Sequence, residues 1–345
     1  MASGDPVLWS LYVYAPNHGA PIFFAIAFAI SAVFHIWQCF QYKAFRLVGL
    51  QSACAVVFVA GFVSREYSSY HYIYEEDSND VLIPFILGQV FIYACPPLLE
   101  LSNYHVLGRV FFYVPHCAPL PASSVLRIFG GLMAIVEALN GVGASLSFNP
   151  SASPGTQTLG SHLILAVLII QLIVITIFIG MTSTFHVRCI KASVPSKNVY
   201  TLLATLYMSM TLIFIRCIYR LVEHTGDTKV DITDLEALKQ LNPLLRYEVY
   251  FYIFEATLML LNSILWNVWN AGRLLPANPH IYLAQDGIEA MVEVPPDTRP
   301  FWQKAVHRFT FGVLYGAKSP VVRLEELTEY SRDSGNEQAG AHMLK

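Results

Sequence analysis

Charge is scarce in this chain: only 13% of its 345 residues are Asp, Glu, Lys or Arg, roughly half the share of an ordinary soluble domain. So few charges cannot cover a water-facing surface, and their scarcity also excludes disorder and coiled coil over most of the length. Cysteine is limited to six, and these do not read as a secreted disulfide framework. A basic excess is lacking too, and a net charge of -3 gives no footprint for nucleic acid. Neither a P-loop nor a dinucleotide fingerprint after a strand occurs. The eleven histidines are scattered between faces, with His35 inside an apolar run and His105, His162 and His186 near the ends of others, so no metal or other cofactor is expected. What the chain has instead is apolar residues, at 55%, and a mean hydropathy of +0.49. That balance describes a protein with several membrane spans.

A spanning helix needs about 20 mostly apolar residues. Seven runs satisfy this, at roughly 20–42, 47–65, 82–101, 125–148, 159–187, 199–222 and 247–271. The third can continue past Glu100 to about Pro115. The clearest, Leu163 to Gly180, contains no charge. The alternating ten-residue strands of an outer-membrane barrel are absent. The fold class expected is therefore all-α, an integral membrane seven-helix bundle. Its division is a short N-terminus (1–19), a membrane domain (20–272) and a tail (273–345) that begins irregular and proline-rich and ends in a disordered composition. Glycines at 130, 131, 141 and 143 on the fourth span favour close helix contact.

Lys and Arg decide orientation. Met1 to Gly19 contains neither, and no basic region precedes the first apolar run. With the N-terminus exoplasmic, the inner loops hold Lys43, Arg46, Arg109, Arg127, Arg188, Lys191 and Lys197 and no acid. The outer loops then collect Glu75, Glu76, Asp77, Asp80, Asp227, Asp231, Asp234 and Glu236, with Lys229 and Lys239 among them. Seven spans put the tail in the cytosol. Thr233-Asp-Leu-Glu236 has the pattern of a capping box for a short helix in the last outer loop. Phe301 to Tyr315 mixes apolar and basic residues in a way that suits the inner membrane surface or a helix docked on the bundle.

Ionisable residues inside a membrane are expensive and face the bundle interior. Arg216, Arg220 and Glu223 on the sixth span are spaced by four and three, which stacks them on one helical face. Counted at about 1.5 Å per residue, they fall in the outer half of the bilayer or at its edge. Glu255 on the seventh span, Arg65 at the end of the second, and Glu137 with Asn140 on the fourth converge on the same region. Glu100 stands apart, nearer the inner face. These seven residues, Arg65, Glu137, Asn140, Arg216, Arg220, Glu223 and Glu255, are the candidate binding site. The competing reading is that Arg–Glu pairs simply lock helices together, and the two roles are compatible. Cys39, Cys54, Cys95 and Cys217 read as small packing residues.

In order along the chain, these residues resemble the fungal RTA1-like family of lipid-translocating exporters, from about Leu11 to Gly272. Tyr12-x-Tyr14-x-Pro16-Asn17 resembles the family's opening and is followed by His35. Gly61-Phe62-x-x-Arg65 follows, and then Gln89, Pro96-Pro97, Tyr104 and Leu107-Gly108-Arg109. The most specific part is Arg216-x-x-Tyr219-Arg220-x-x-Glu223, then Tyr252-x-Phe254-Glu255. The chain departs from the family at Phe58, where Glu is usual, at Glu255, where Asp is usual, and at Asn270-Ala271-Gly272 in place of His-Pro-Gly. On the fourth span Gly130 and Glu137 stand where the family often has Asp and Gln, so it resembles a divergent member. The resemblance implies seven spans, a fungal source, a lipid or amphiphilic small molecule as partner, and links to lipid movement and resistance to toxic amphiphiles. The expected location is a membrane, the plasma membrane before the vacuole or another endomembrane.

Two other functions fit the composition. A seven-span receptor matches the topology, but no Asp-Arg-Tyr-like triad ends the third span and no Asn-Pro-x-x-Tyr ends the seventh. The seventh span also has no lysine for a retinal Schiff base. An integral-membrane cyclase of fungal secondary metabolism would use Glu137 or Glu255 as a proton donor in an apolar cavity. The charge bias makes one prediction directly: a tag placed after Lys345 is protected from protease on intact cells and becomes cleavable only after permeabilisation.

Overall fold

The computed structural model describes residues 5–74, 79–147, 153–225, 234–292, 300 and 302–303. The acids Glu75, Glu76, Asp77, Asp227 and Asp231, the capping residue Thr233, nearly all of 301–315 and everything beyond Arg323 lie outside the described residues. Six long helices come first: α1 (Ala20–Gln41), α2 (Phe45–Tyr70), α3 (Asn79–Tyr113), α4 (Ala122–Ser147), α5 (Pro154–Lys191) and α6 (Lys197–Glu223). A short 3-10 turn, Pro115–Cys117, separates α3 from α4. Two short helices follow α6, α7 (Leu235–Gln240) and α8 (Pro243–Arg246). The seventh span is composite: α9 (Glu248–Phe251), a π-helical turn (Tyr252–Thr257) and α10 (Leu258–Val268), with a last helical turn, α11 (Ala271–Leu274). Seven helices of the described residues are long and apolar enough to cross a membrane, and the molecule is an all-α, seven-helix membrane bundle.

Consecutive helices pack side by side from α1 to α6, and the seventh span closes the ring against α6 and α1, while α3 also crosses to α6 through the interior. The bundle is apolar on both sides of each helix for different reasons. Phe28, Phe58 and Phe62 stack inside, with ring centroids 4.4 Å and 5.6 Å from Phe28. Phe23, Ile26 and Val33 on α1, and Ile169, Ile173 and Ile177 on α5, point outward and are exposed, as hydrocarbon contact requires. All six cysteines are free and buried, as small apolar fillers.

Helix ends follow local chemistry. The N–H of Ala44 donates to the Cys39 carbonyl at 3.2 Å, with Lys43 at φ 51° between them. The end of α5 repeats this, with Val194 to Cys189 at 3.1 Å and Ser193 at φ 50°. Both are left-handed C-terminal turns that stop a helix and reverse the chain. The short helix expected near residue 236 is present as α7, and its described cap is Asp234, whose Oδ1 accepts the Glu236 N–H at 2.9 Å.

The start of the tail is more ordered than expected. Ile281–Leu283 and Glu289–Met291 form an antiparallel hairpin. Its turn holds Asp286-Gly287, with Gly287 at φ 81°, a conformation glycine adopts without a Cβ penalty. Arg109 at the end of α3 donates to the carbonyls of Asn278 (3.0 Å) and Ile281 (3.3 Å), and Tyr113 donates to Glu289 at 2.7 Å. We call this the hairpin end of the bundle, opposite the N-terminal end.

Of the fourth-span glycines, Gly143 makes the close contact expected, whereas Gly131 and Gly141 face open space. Its counterpart is Gly160 on α5, where an added Cβ would lie 2.7 Å from the Gly143 carbonyl oxygen and 2.5 Å from the Ser147 nitrogen. Both are backbone atoms and cannot step aside. Gly160→Ala is therefore expected to lower stability by about 1–3 kcal/mol, read as a lower melting temperature of the detergent-solubilised protein. Gly131→Ala, built into open space, should leave it unchanged.

Candidate functional site

The N-terminal end of the bundle is organised around Arg65. Gly61, one turn earlier on α2, has no room for a Cβ, which would meet the Ile92 side chain at 2.8 Å. Close approach of α3 at that point helps enclose Arg65, which is buried. Its Nη2 donates to Glu248 Oε1 and to the Tyr14 hydroxyl, both at 3.0 Å, and its Nε donates to the Tyr252 hydroxyl at 3.3 Å. The Phe251 and Tyr12 rings flank the guanidinium at 4.1 Å and 4.7 Å, a cation–π setting. The other oxygen of Glu248 accepts the backbone N–H of Asn17 at 2.8 Å.

One ion pair thus stitches the N-terminal segment onto α2 and the seventh span. The segment is strained to fit. Val13 has φ 71°, which is unfavourable for a β-branched residue and worth roughly 1–3 kcal/mol. The N–H of Val7 donates to the Val13 carbonyl at 2.8 Å, and the side chain packs with Leu238 and Leu241. The twist buries Tyr12, Val13 and Tyr14 together, where an extended strand would turn the middle one away.

A second pair lies deeper. Arg216 Nε donates to Glu255 Oε1 at 2.8 Å, with the two side chains 5% and 1% exposed. Arg220 pairs with Glu223 on its own helix, lies over the Tyr93 ring at 4.2 Å, and Tyr219 donates its hydroxyl to the same Glu223. Glu248, Tyr252 and Glu255 are spaced by four and three, which on a plain α-helix is a single face. The π turn changes this. Its wider winding delays the rotation of the chain, so that Glu248 meets Arg65 on α2 while Glu255 meets Arg216 on α6. Thr257 marks the turn, its hydroxyl donating to the carbonyl of Tyr252, five residues back, at 2.7 Å.

Of the seven residues singled out from sequence, Arg216 and Glu255 are joined directly and Arg220 and Glu223 are joined to each other. Arg65 is paired with a residue outside the set. Glu137 and Asn140 are half-buried on α4, which packs chiefly on α3 and α5. Asn140 hydrogen-bonds Glu137, and Arg216 is within electrostatic reach, but the structure gives Glu137 no ion pair among the described residues. Glu100 is fully buried and turned toward α5, accepting from Tyr104 and, at 2.9 Å, from Gln171. Glu248 was missed. Its seven-residue spacing from Glu255 was the available signal, and its position at the very start of the seventh span hid it among loop acids.

A bundle of seven membrane-length helices with three arginine–carboxylate pairs toward one end defines a multi-pass membrane protein with an ionic core. Residues 52–278 match the family described as RTA1 like protein, and the chain belongs to that family. It is 52% identical to the lipid-translocating exporter-like protein RTA1 of Leptosphaeria maculans, over 97% of this chain and 66% of that protein. It is 29% identical to a protein of the same name from Ajellomyces capsulatus, over 72% of this chain and 77% of the other. Identity is 23% to the probable lipid transporter atnI of Emericella nidulans, over 77% and 68%. The chain therefore spans about two thirds of the length of the Leptosphaeria relative. No solved structure matches it.

The pairing makes a stability prediction. Glu255→Gln or Arg216→Gln leaves a buried charge or donor set without its partner, a loss of roughly 3–5 kcal/mol. Each single variant should give less monodisperse protein in fluorescence-detected gel filtration, and exchanging the two residues should restore part of it. Arg220→Gln should be milder, since Arg220 is 17% exposed and bonded within its own helix.

Proposed function

We propose that the protein moves a lipid or other amphiphile between the leaflets or out of the membrane, and thereby protects its host against toxic amphiphiles. The observation that carries this is the ionic core. Three arginines and their carboxylates are kept in the part of a protein where charge is most costly, beside a π turn in the span that closes the bundle. Intramembrane charges of this kind mark substrate and ion pathways, and π turns recur at functional sites. The names of the relatives from Leptosphaeria and Emericella, a lipid-translocating exporter-like protein and a probable lipid transporter, point the same way. In this reading the N-terminal end of the bundle is exoplasmic, the hairpin end cytosolic, and the membrane is the plasma membrane. Glu255, with one carboxylate oxygen bonded to Arg216 and the other without a partner among the described residues, is the member of the core best placed to exchange its partner for a headgroup.

The test is reconstitution. Purified protein in liposomes carrying a lipid with a fluorescent headgroup should make that lipid accessible to an external quencher faster than protein-free liposomes do. The double variant with Glu255 and Arg216 exchanged, which keeps the charges but reverses their order, should be folded and slower. Wild-type rates equal to those of empty liposomes for anionic, cationic and zwitterionic lipids alike would remove the transport reading.

A further inference from the structure

Nearer the hairpin end the bundle contains a second polar region that carries no formal charge. It joins five helices. Ser31, His35 and Gln38 of α1 bond Ser263, Asn267 and Asn270 at the seventh-span side. Ser31 and Ser263 are 2.6 Å apart, His35 Nε2 and Ser263 are 3.2 Å apart, and Asn270 Nδ2 donates to Gln38 at 2.7 Å. Trp266 Nε1 donates to Ser209 of α6 at 3.1 Å, and Asn103 of α3 donates to the same hydroxyl at 2.8 Å. Ser52 of α2 lies 3.3 Å from Cys39. Along α10 from Asn262 to Val268 the band climbs about 9 Å at 1.5 Å per residue, and it continues to Asn270 just beyond the helix end.

Inside this band hydrogen-bonding capacity is left over. Among the described residues no protein partner reaches His35 Nδ1, either polar atom of the Gln51 amide, Ser102 Oγ, either polar atom of the Asn262 amide, or Asn267 Oδ1. His35, Gln51, Ser102 and Asn262 are all at most 1% exposed, so neither lipid nor bulk water can serve them from outside. Their levels are close. Stepping equally along antiparallel α2 and α3 from the Cys54–Cys95 contact brings Gln51 level with Leu98, about one turn from Ser102, and Asn262 precedes the Ser263 that holds His35. A buried polar atom without a partner is destabilising, and native proteins leave few. Both donors and acceptors are left open within the band, on Gln51 and Asn262 alike. A metal ion would satisfy only the acceptors and an anion only the donors. A hydroxyl or amide satisfies both. The arginines of the ionic core are already bonded to carboxylates, and Glu100 faces α5 with both oxygens used.

We propose that this band is a binding site for an uncharged hydroxyl- or amide-bearing group on an apolar chain, with water in its place when the ligand is away. The proposal rests on the transport reading for its purpose, since it identifies the part of an amphiphile that travels through the bundle interior. It does not depend on transport for its test. Met210, Met259 and Trp266 border the band and are at most 1% exposed, so hydroxyl radicals generated by an X-ray pulse reach them only if water does. In phosphatidylcholine nanodiscs the wild-type protein is expected to be labelled at these three residues. Monooleoylglycerol should protect them at about fivefold lower mole fraction than oleylamine or oleic acid, the ratio one good hydrogen bond provides.

Asn262→Leu, close in volume, should abolish both labelling and protection with an unchanged or higher melting temperature. Ser102→Ala, a smaller change, should reduce protection if the leucine variant does not fold. Unlabelled Met210 and Trp266 in the wild type, or equal protection by the charged and uncharged probes, would overturn the proposal. Protection by monooleoylglycerol in a preparation that moves no lipid would uphold the site and discard the transport reading.

Discussion

A guanidinium buried in hydrocarbon must bring its counter-charge with it. Neither lipid tails nor distant water can supply one, and an unpaired ion there costs several kcal/mol. This constraint shapes the N-terminal end of the molecule. Arg65 recruits Glu248 from the start of the seventh span and Tyr14 from the segment before the first. Because Glu248 also holds the Asn17 N–H, one charge fixes the position of three separate parts of the chain. The strain at Val13, the aromatic cage of Tyr12 and Phe251, and the glycine that lets α3 close on α2 all serve that same enclosure.

The same logic separates two kinds of polar interior. Toward the N-terminal end, three arginines are matched with carboxylates across or along helices. Toward the hairpin end the groups are neutral, shared among five helices, and only partly satisfied by one another. A matched ion pair resists opening, because each half is left with a large desolvation penalty. A partly satisfied neutral network is easier to reorganise, since each exchange trades one hydrogen bond for another of similar strength. The bundle thus couples a stiff end to an adaptable one through the seventh span, which lines both.

How much of this could be read from sequence follows from periodicity. The seven spans were legible because each is a long apolar run, and α3 extends to Tyr113 as its sequence allows. The Arg216–Glu255 pair was legible because helix spacing and depth can be counted from both ends of a span. Arg65 was found but its partner was not, because counting depth gives no account of which loop folds back. The role of Tyr14 was invisible for the same reason, although the tyrosine itself stood out. The neutral band was mostly missed, since Ser, Asn and Gln inside an apolar run raise no alarm one at a time. The tail hairpin carried its own signal in Asp286-Gly287 between short apolar stretches, overlooked beside the prolines.

The π turn at Tyr252–Thr257 has a consequence for how this sequence can change over generations. Such a turn is an α-helix carrying one inserted residue, so length and phase are linked within it. Deleting any single residue from the segment would restore regular winding and leave both flanking helices intact. Glu248 and Glu255 would then stand six positions apart on a regular helix, about 120° from each other, and each would keep its own arginine. What would turn both acids one way, and cost one buried arginine its mate, is regular α winding with every residue kept. A relative that has lost the extra residue can therefore retain both acids and both bases where they stand.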